Sequence, residues 1–320
     1  MKKTVLLSAL TACALSLAAQ EPATVYFTSD ISPEGLMRVY EALGVKPEGR
    51  VAIKISTGES ERSHQLSPEL IRPLVERVNG TLVECNTAYK GNRFDTADHI
   101  KAIHERGYDS IAAVDIMDAE GYIDIPVRDT TNIPFDRVGA HLANYDYMIN
   151  LAHFKGHQMG GFGGVLKNAS IGVASRDGKA LIHTAGVHET VDGVWDNPKG
   201  QDAFLESMAA AAQGVHDYFK ARNGIVYIDV MNNLSVDCDC NGNPAAPQMH
   251  DIGILASTDP VALDKACLDL VFNHKNSEGD TSDPLIGRIR ERHGTLTVEH
   301  AAKIGLGTLD YNFVNIDPIK

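Results

Sequence analysis

Between Asn150 and Asn168 the chain reads Asn-Leu-Ala-His-Phe-Lys-Gly-His-Gln-Met-Gly-Gly-Phe-Gly-Gly-Val-Leu-Lys-Asn, and its chemistry concentrates there. His153, Lys155, His157, Lys167 and Asn168 follow an apolar, strand-like run, Tyr145–Leu151, and are interleaved with glycine. Core packing does not need that mixture. Glycines let a backbone turn sharply and approach a ligand. Gly163 and Gly164 stand directly before a segment that would open a helix, whose free N–H groups and positive dipole end would face whatever is bound. Imidazole titrates near neutrality and serves as acid, base or metal ligand. Lys155 and Lys167 can neutralise a carboxylate or phosphate, and Asn168 can orient it. The stretch predicts an anion or metal site with His157 and Lys167 as its catalytic pair. It does not match the common nucleotide loops. Leu166 rather than Gly precedes Lys167, and the glycines lie far from the first strand, where a dinucleotide fingerprint belongs.

Other groups join this set. Lys54, with Thr57 and Gly58 beyond it, ends a strand-like run and is a second candidate anion contact, because ligands of parallel sheets bind at carboxyl strand ends. Cys238–Asp239–Cys240 lies in a loop rich in Asn, Asp and Pro. Its thiolates suit a soft divalent metal, and a redox disulfide is the alternative. His153 and His183 are candidate co-ligands, and His183 and His188 are read as flanking a polar loop. Cys85 ends a strand and Cys267 reads as a packed thiol on an apolar helix. An iron–sulfur cluster ranks behind a single metal ion, since the cysteines are scattered. Asp259 reads as a helix cap before Pro260, with Asp264 one turn on, primarily structural.

These groups need a scaffold, and the pattern supplies one. Strand-like runs at Thr24–Ser29, Val51–Ser56, Thr81–Cys85 and Ser110–Ile116 alternate with helix starts at Ser32–Pro33–Glu34 and Ser67–Pro68–Glu69, stopped by Gly44 and Gly80. Further strands are expected at Tyr122–Val127, Tyr147–Leu151, Ile225–Met231 and Asp251–Ala256. Helices are expected at Gln201–Ala221, Ser257–Phe272, Asp283–Arg292 and Val298–Ile304, and a Gly-led helix or turn at Gly161–Gly172. The fold class is α/β: a mainly parallel or mixed sheet flanked by helices, arranged as one domain over residues 20–320, with room for two closely packed lobes.

Lys2, Lys3 and the apolar run Val5–Ala19 read as an export signal too short to span a bilayer. A soluble exported, periplasmic protein is expected, with a lipid anchor at Cys13 as the alternative. The formal charge is −13, and loss of Lys2 and Lys3 with the leader makes it −15. Such a surface does not favour nucleic acid, but a local basic site for a small-molecule anion remains compatible with it. No later segment reads as membrane-spanning.

Three motifs together resemble the domain of unknown function 362 family: Lys155–Gly156–His157, similar to its Lys-Thr-His element; Gly163–Gly164–Val165–Leu166–Lys167–Asn168, similar to its Gly-rich Lys-Asn element; and Ser257–Asp264, similar to its Asp-Pro-Val-Ala-Asp helix start. The chain departs from the family at Gly156, which replaces Thr, and by having no C-x-x-C run of the ferredoxin-like module that many relatives carry. That departure leaves iron–sulfur electron transfer unsupported. His157 and Lys167, on either side of Gly161–Phe162–Gly163–Gly164, also show a weak local similarity to nickel-pincer lactate racemases, whose matching His and Lys serve a metal–pincer cofactor. The leading expectation is a metal-dependent enzyme for a small anionic substrate: His157 and Lys167 catalytic; Lys54, Lys155, Asn168, Gly163 and Gly164 on the substrate; Cys238, Cys240, His153 and His183 on the metal. A non-catalytic metal- or iron–sulfur-binding envelope protein and a thiol redox protein remain the alternatives.

Overall fold

A computed structural model describes residues 21–318. The expected leader and Cys13 lie outside the described residues. In chain order the elements are β1 (Ala23–Thr28), α1 (Pro33–Ala42), β2 (Val51–Lys54), α2 (Pro68–Val78), β3 (Thr81–Glu84), α3 (Thr96–Glu105), β4 (Val114–Ile116), β5 (Tyr122–Ile125), β6 (Asp136–Gly139), β7 (Tyr147–His153), β8 (Lys155–His157), β9 (Gly161–Gly163), α4 (Val165–Ala169), α5 (Arg176–His183), α6 (Gln201–Lys220), β10 (Gly224–Met231), β11 (Gly253–Ser257), α7 (Pro260–Phe272), α8 (Asp283–Glu291), α9 (Thr295–Lys303) and β12 (Tyr311–Asn315).

The Ser-Pro helix starts work as capping chemistry requires. Ser32 Oγ accepts from Gly35 N at 3.1 Å and Ser67 Oγ from Leu70 N at 3.3 Å. Asp259 accepts from the amides of Val261 and Ala262 at 2.9 and 3.0 Å.

Eight strands form one sheet in the order β12-β1-β11-β10-β7-β2-β3-β4. It is mixed but mainly parallel. Only β11 runs against its two neighbours, β1 and β10. Period-two alternation buries both faces. Ile53, Leu82, Ile149, Val226 and Ile254 pack with Leu36, Leu74 and Ile103 of α1–α3. Ala52, Val83, Met148, Tyr227 and Leu255 pack with residues of α4, α6 and α7.

After β2 the chain extends the sheet outward through β3 and β4, then returns to lay β7 on the opposite side of β2. The strand order reverses there, and a crevice opens at the carboxyl ends of the two strands. Lys54 pairs in register with Asn150, and Val230 with His153, so β2, β7 and β10 deliver their ends to one edge.

Several expectations need correction. His183 lies not in a polar loop but at the end of α5, capped by Ser175. The segment Gly161–Gly172 is divided between a short strand and the five-residue α4. The hairpin partner β6 and the edge strand β12 were not expected.

Gly156 has a packing reason. An added Cβ would lie 2.2 Å from Val236 O and 2.6 Å from its Cα, where the loop that carries the cysteines crosses β8. Backbone cannot swing aside as a side-chain tip can. Gly156→Ala is therefore expected to destabilise the protein by about 1–3 kcal/mol, read as a lower urea midpoint, and Gly156→Thr by more. An unchanged midpoint in both would remove this account.

Candidate active site

The crevice holds a cavity of about 520 Å³. Its walls come from the segments that follow β2, β3, β7 and β10, and from α4 and α5. Lys54, His153, Lys155, His157, Gly163, Gly164, Lys167, Asn168, His183, Cys238 and Cys240 all line it.

The helix end beside the glycines is already filled. Asp264, reaching from α7, accepts from Val165 N at 2.8 Å and Leu166 N at 3.0 Å. Those are the amides expected to face a ligand. Gly164 is needed for this approach, since a Cβ there would lie 2.3 Å from Asp264 Oδ1 and 3.0 Å from Asp229 Oδ2. Burial pushes the Asp264 carboxyl up to about 7. Burial and the neighbouring Asp264 raise Asp229 well above the usual range.

Asn168 is likewise engaged. Its amide donates to Lys54 O at 3.1 Å and Asn150 Oδ1 at 2.7 Å, and its Oδ1 accepts from Lys54 Nζ at 3.1 Å. It fastens α4 across β2 and β7, and both of its donor protons are taken.

Lys155, expected as a substrate anchor, instead pairs with Asp239 and touches His153 Nδ1 at 2.6 Å. His153 Nε2 donates to Asn232 O at 2.7 Å, and its Nδ1 also lies 3.1 Å from Asp239 Oδ2. Both ring nitrogens are engaged, so neither offers a free lone pair to a metal ion. Burial alone would raise the Asp239 carboxyl, but Lys155 and His153 outweigh it and hold it well below the usual carboxylate range.

Cys238 and Cys240, on either side of Asp239, are joined by a disulfide. They are not thiolate ligands in this state. They are nevertheless close to His157: one ligand atom from each of the three residues lies within 4.8 Å of the others. Glu59 N donates to Asp239 O at 2.8 Å and Tyr89 Oη to Cys240 O at 3.1 Å, which ties this loop to the far wall.

His157 Nδ1 accepts from Gly160 N at 2.8 Å and Met159 N at 3.2 Å. Backbone amides only donate, so Nδ1 is unprotonated and the proton of the neutral ring sits on Nε2. Burial, then Lys167 and His183, hold His157 well below its ordinary value and keep it neutral. A metal-binding histidine usually shows the reverse, its outer nitrogen donating to an acceptor. His157 is arranged to donate a hydrogen bond. His183 has the opposite tautomer: Nδ1 donates to Lys179 O at 2.6 Å and Nε2 keeps its lone pair, with burial lowering the ring to about 4.

Sequence reasoning missed Lys179, Arg93, Glu59, Glu84 and Trp195, which also line the cavity. Lys179 and His183 are four apart on α5, a spacing that would have exposed them had the helix been recognised. Arg93 bridges Glu59 and Glu84, each at 3.2 Å.

Around the cavity Lys54, Lys90, Arg93, Lys155, Lys167 and Lys179 face only Glu59, Glu84 and Asp239. Arg93 and Lys155 take up those carboxylates. Among the described residues no carboxylate lies within salt-bridge distance of Lys54, Lys167 or Lys179. Lys54 Nζ donates to Ile55 O and Asn168, and Lys179 Nζ to Ala174 O at 2.5 Å. Lys167 Nζ has no hydrogen-bond partner among the described residues. Burial lowers Lys54 to about 8; burial, Lys54 and Arg93 lower Lys167 to about 7.

If Lys155 serves to hold Asp239, then Asp239→Asn leaves a buried, unpaired ammonium and costs roughly 3–5 kcal/mol in denaturant unfolding. Adding Lys155→Met should recover much of that loss. A single substitution within about 0.5 kcal/mol of the parent would show that the pair does not anchor the loop.

A search of curated proteins returns no match. Among solved structures the chain is similar to the lactate racemase apoprotein from Thermoanaerobacterium thermosaccharolyticum, at 11% identity and a TM-score of 0.44, over 77% of this chain and 56% of that one. It is also similar to a structural-genomics target from Thermotoga maritima, at 15% identity and a TM-score of 0.43, over 74% of this chain and 57% of that one. The chain thus spans little more than half the length of either. The family model described as Domain of unknown function (DUF362) matches residues 51–269, which include the lysine-lined cavity and Asp264, and the chain belongs to that family.

Proposed function

We propose that this protein is an exported enzyme that binds a small anionic substrate in the crevice cavity and acts on it with Lys167 and His157. The observation that carries the reading is the set of Lys54 and Lys179, buried, and Lys167, half-buried, gathered on one cavity with no carboxylate within salt-bridge distance among the described residues, in a chain whose net charge is −13. Buried charge is normally paired. A bound carboxylate or phosphate supplies the missing partner. Lys167, lowered to about 7, is present as free amine and as ammonium at neutral pH, which suits a proton-transfer or nucleophilic group. The Nε2–H of His157 suits a hydrogen bond to developing negative charge on substrate oxygen. Export is supported by the N-terminal Lys2–Ala19 pattern and agrees with a disulfide at Cys238–Cys240.

The pH dependence has two opposite signs. Lys54 and Lys167 bind anions when protonated, so calorimetric affinity for phosphate or malonate should fall as pH rises through 7 to above 8. The lysines of the empty protein are lowered in the folded state, from an ordinary 10.5. The unfolded chain binds more protons between about 7 and 10.5, so stability without ligand should rise over that interval. Lys54→Met or Lys167→Met should weaken binding about tenfold or more, since a charge-assisted hydrogen bond contributes about 1.5–3 kcal/mol. Absence of anion binding, or binding indifferent to both pH and Lys167, would remove the reading.

The proximity of His157, Cys238 and Cys240 favours a second reading, in which the enzyme is metal-dependent in its reduced form. Opening the bridge gives two thiolates beside an imidazole, a set suited to zinc. His157 would then have to move its proton to Nδ1 and give up two backbone hydrogen bonds. Stoichiometric zinc bound after phosphine reduction, and lost in Cys240→Ser, supports this reading. Equal zinc content before and after reduction, unaffected by that substitution, rules it out.

A further inference from the structure

The three unpaired lysines are not alike. Lys54 and Lys179 are tied down by oxygen acceptors, as a group that holds a ligand should be. Lys167 is fixed only at its base. Its helix is clamped by Asp264 and Asn168, while its Nζ has no partner among the described residues and opens on the cavity. The stem lies beside Gly163, where an added Cβ would come 3.3 Å from Lys167 Cδ. A half-buried amine beside other cations favours its free-base form, which is the nucleophile toward carbonyl carbon. His157 presents its Nε2–H in the same cavity.

We propose that the substrate is a small 2-oxo acid and that Lys167 captures its carbonyl carbon as a protonated Schiff base, while Lys54 and Lys179 hold its carboxylate. This rests on the anion-site reading above and names the substrate class. The step balances without any redox partner. The free amine's lone pair forms the C–N bond, and the carbonyl π pair moves to oxygen, where the His157 Nε2–H stabilises it. One proton from the attacking nitrogen and one from solvent convert that oxygen to water. Its departure breaks the C–O bond and leaves a cationic C=N–H link. The iminium draws electrons from the adjacent carbon and so activates a bond there.

The test is reductive trapping of the full mature chain. Pyruvate, oxaloacetate and 2-oxoglutarate are each incubated with the protein and cyanoborohydride, and binding of the same acids and of phosphate is measured in parallel by calorimetry. For an acid that binds, the peptide containing Lys167 should gain the mass of the acid less one oxygen atom, near stoichiometrically, and phosphate should suppress the gain. Lys167→Arg, which keeps the cation, should retain anion binding and lose the adduct. If an oxo acid binds and no adduct forms at Lys167, or adducts spread equally over other lysines, the Schiff base is overturned and the anion site stands. Phosphate binding without binding of any oxo acid overturns the substrate class alone. If neither phosphate nor any oxo acid binds, both the inference and the anion-site reading fail.

Discussion

A carboxylate from α7 closes the amide end of α4, and that contact fixes the short helix that brings Lys167 to the cavity. Asp264 supplies acceptor oxygens for two amides that a helix N-terminus leaves without an intrahelical partner. It reaches the amides because Gly164 leaves its approach clear. Asn150 then holds Val165 O at 3.0 Å and Asn168 spans β2 and β7, so a helix of only five residues is fixed on three sides. Short helices are marginal without tertiary contacts. This one carries Lys167, and the base of that side chain is held by Asp264, Asn150 and Asn168.

The strands and helices of the first half were legible because their punctuation is local. Ser-Pro starts, glycine stops and alternating apolar runs each act within a few residues. β12 was not legible because it is an exposed edge strand whose partner, β1, lies almost the whole chain away. α5 was hidden by its polar first turn, Arg176–Asp177–Gly178–Lys179, and by a buried face that only the folded neighbours define.

The site shows the same division. Sequence passed over Glu59, Glu84, Arg93, Lys179 and Trp195 but picked out part of the cavity lining, such as Lys54, His157, Lys167 and Cys240, because reactive residue types beside glycine stand out. It misread what several of them do, because partners distant in sequence decide that. Lys155 looks like an anion anchor until Asp239 is beside it, and Gly163–Gly164 look like an empty anion seat until Asp264 occupies it. The tautomer of His157 depends on the turn at Met159–Gly160, which no composition argument could supply. The acid surface and basic cavity are likewise compatible only in three dimensions: separation and burial keep the lysine field from being cancelled by surface carboxylates.

Asp239 sits between the two bridged cysteines and is also the counter-ion of Lys155. The covalent state of the sulfurs and the ionic state of the cavity are therefore written on the same three residues. To whatever extent opening the bridge displaces Asp239, it frees another positive charge at the cavity wall. Thermodynamic linkage makes the relation reciprocal. A ligand drawn to that freed charge would favour the dithiol by the same factor by which the dithiol favours the ligand. Occupancy of the crevice and the reduction potential of Cys238–Cys240 would then be two readings of one equilibrium.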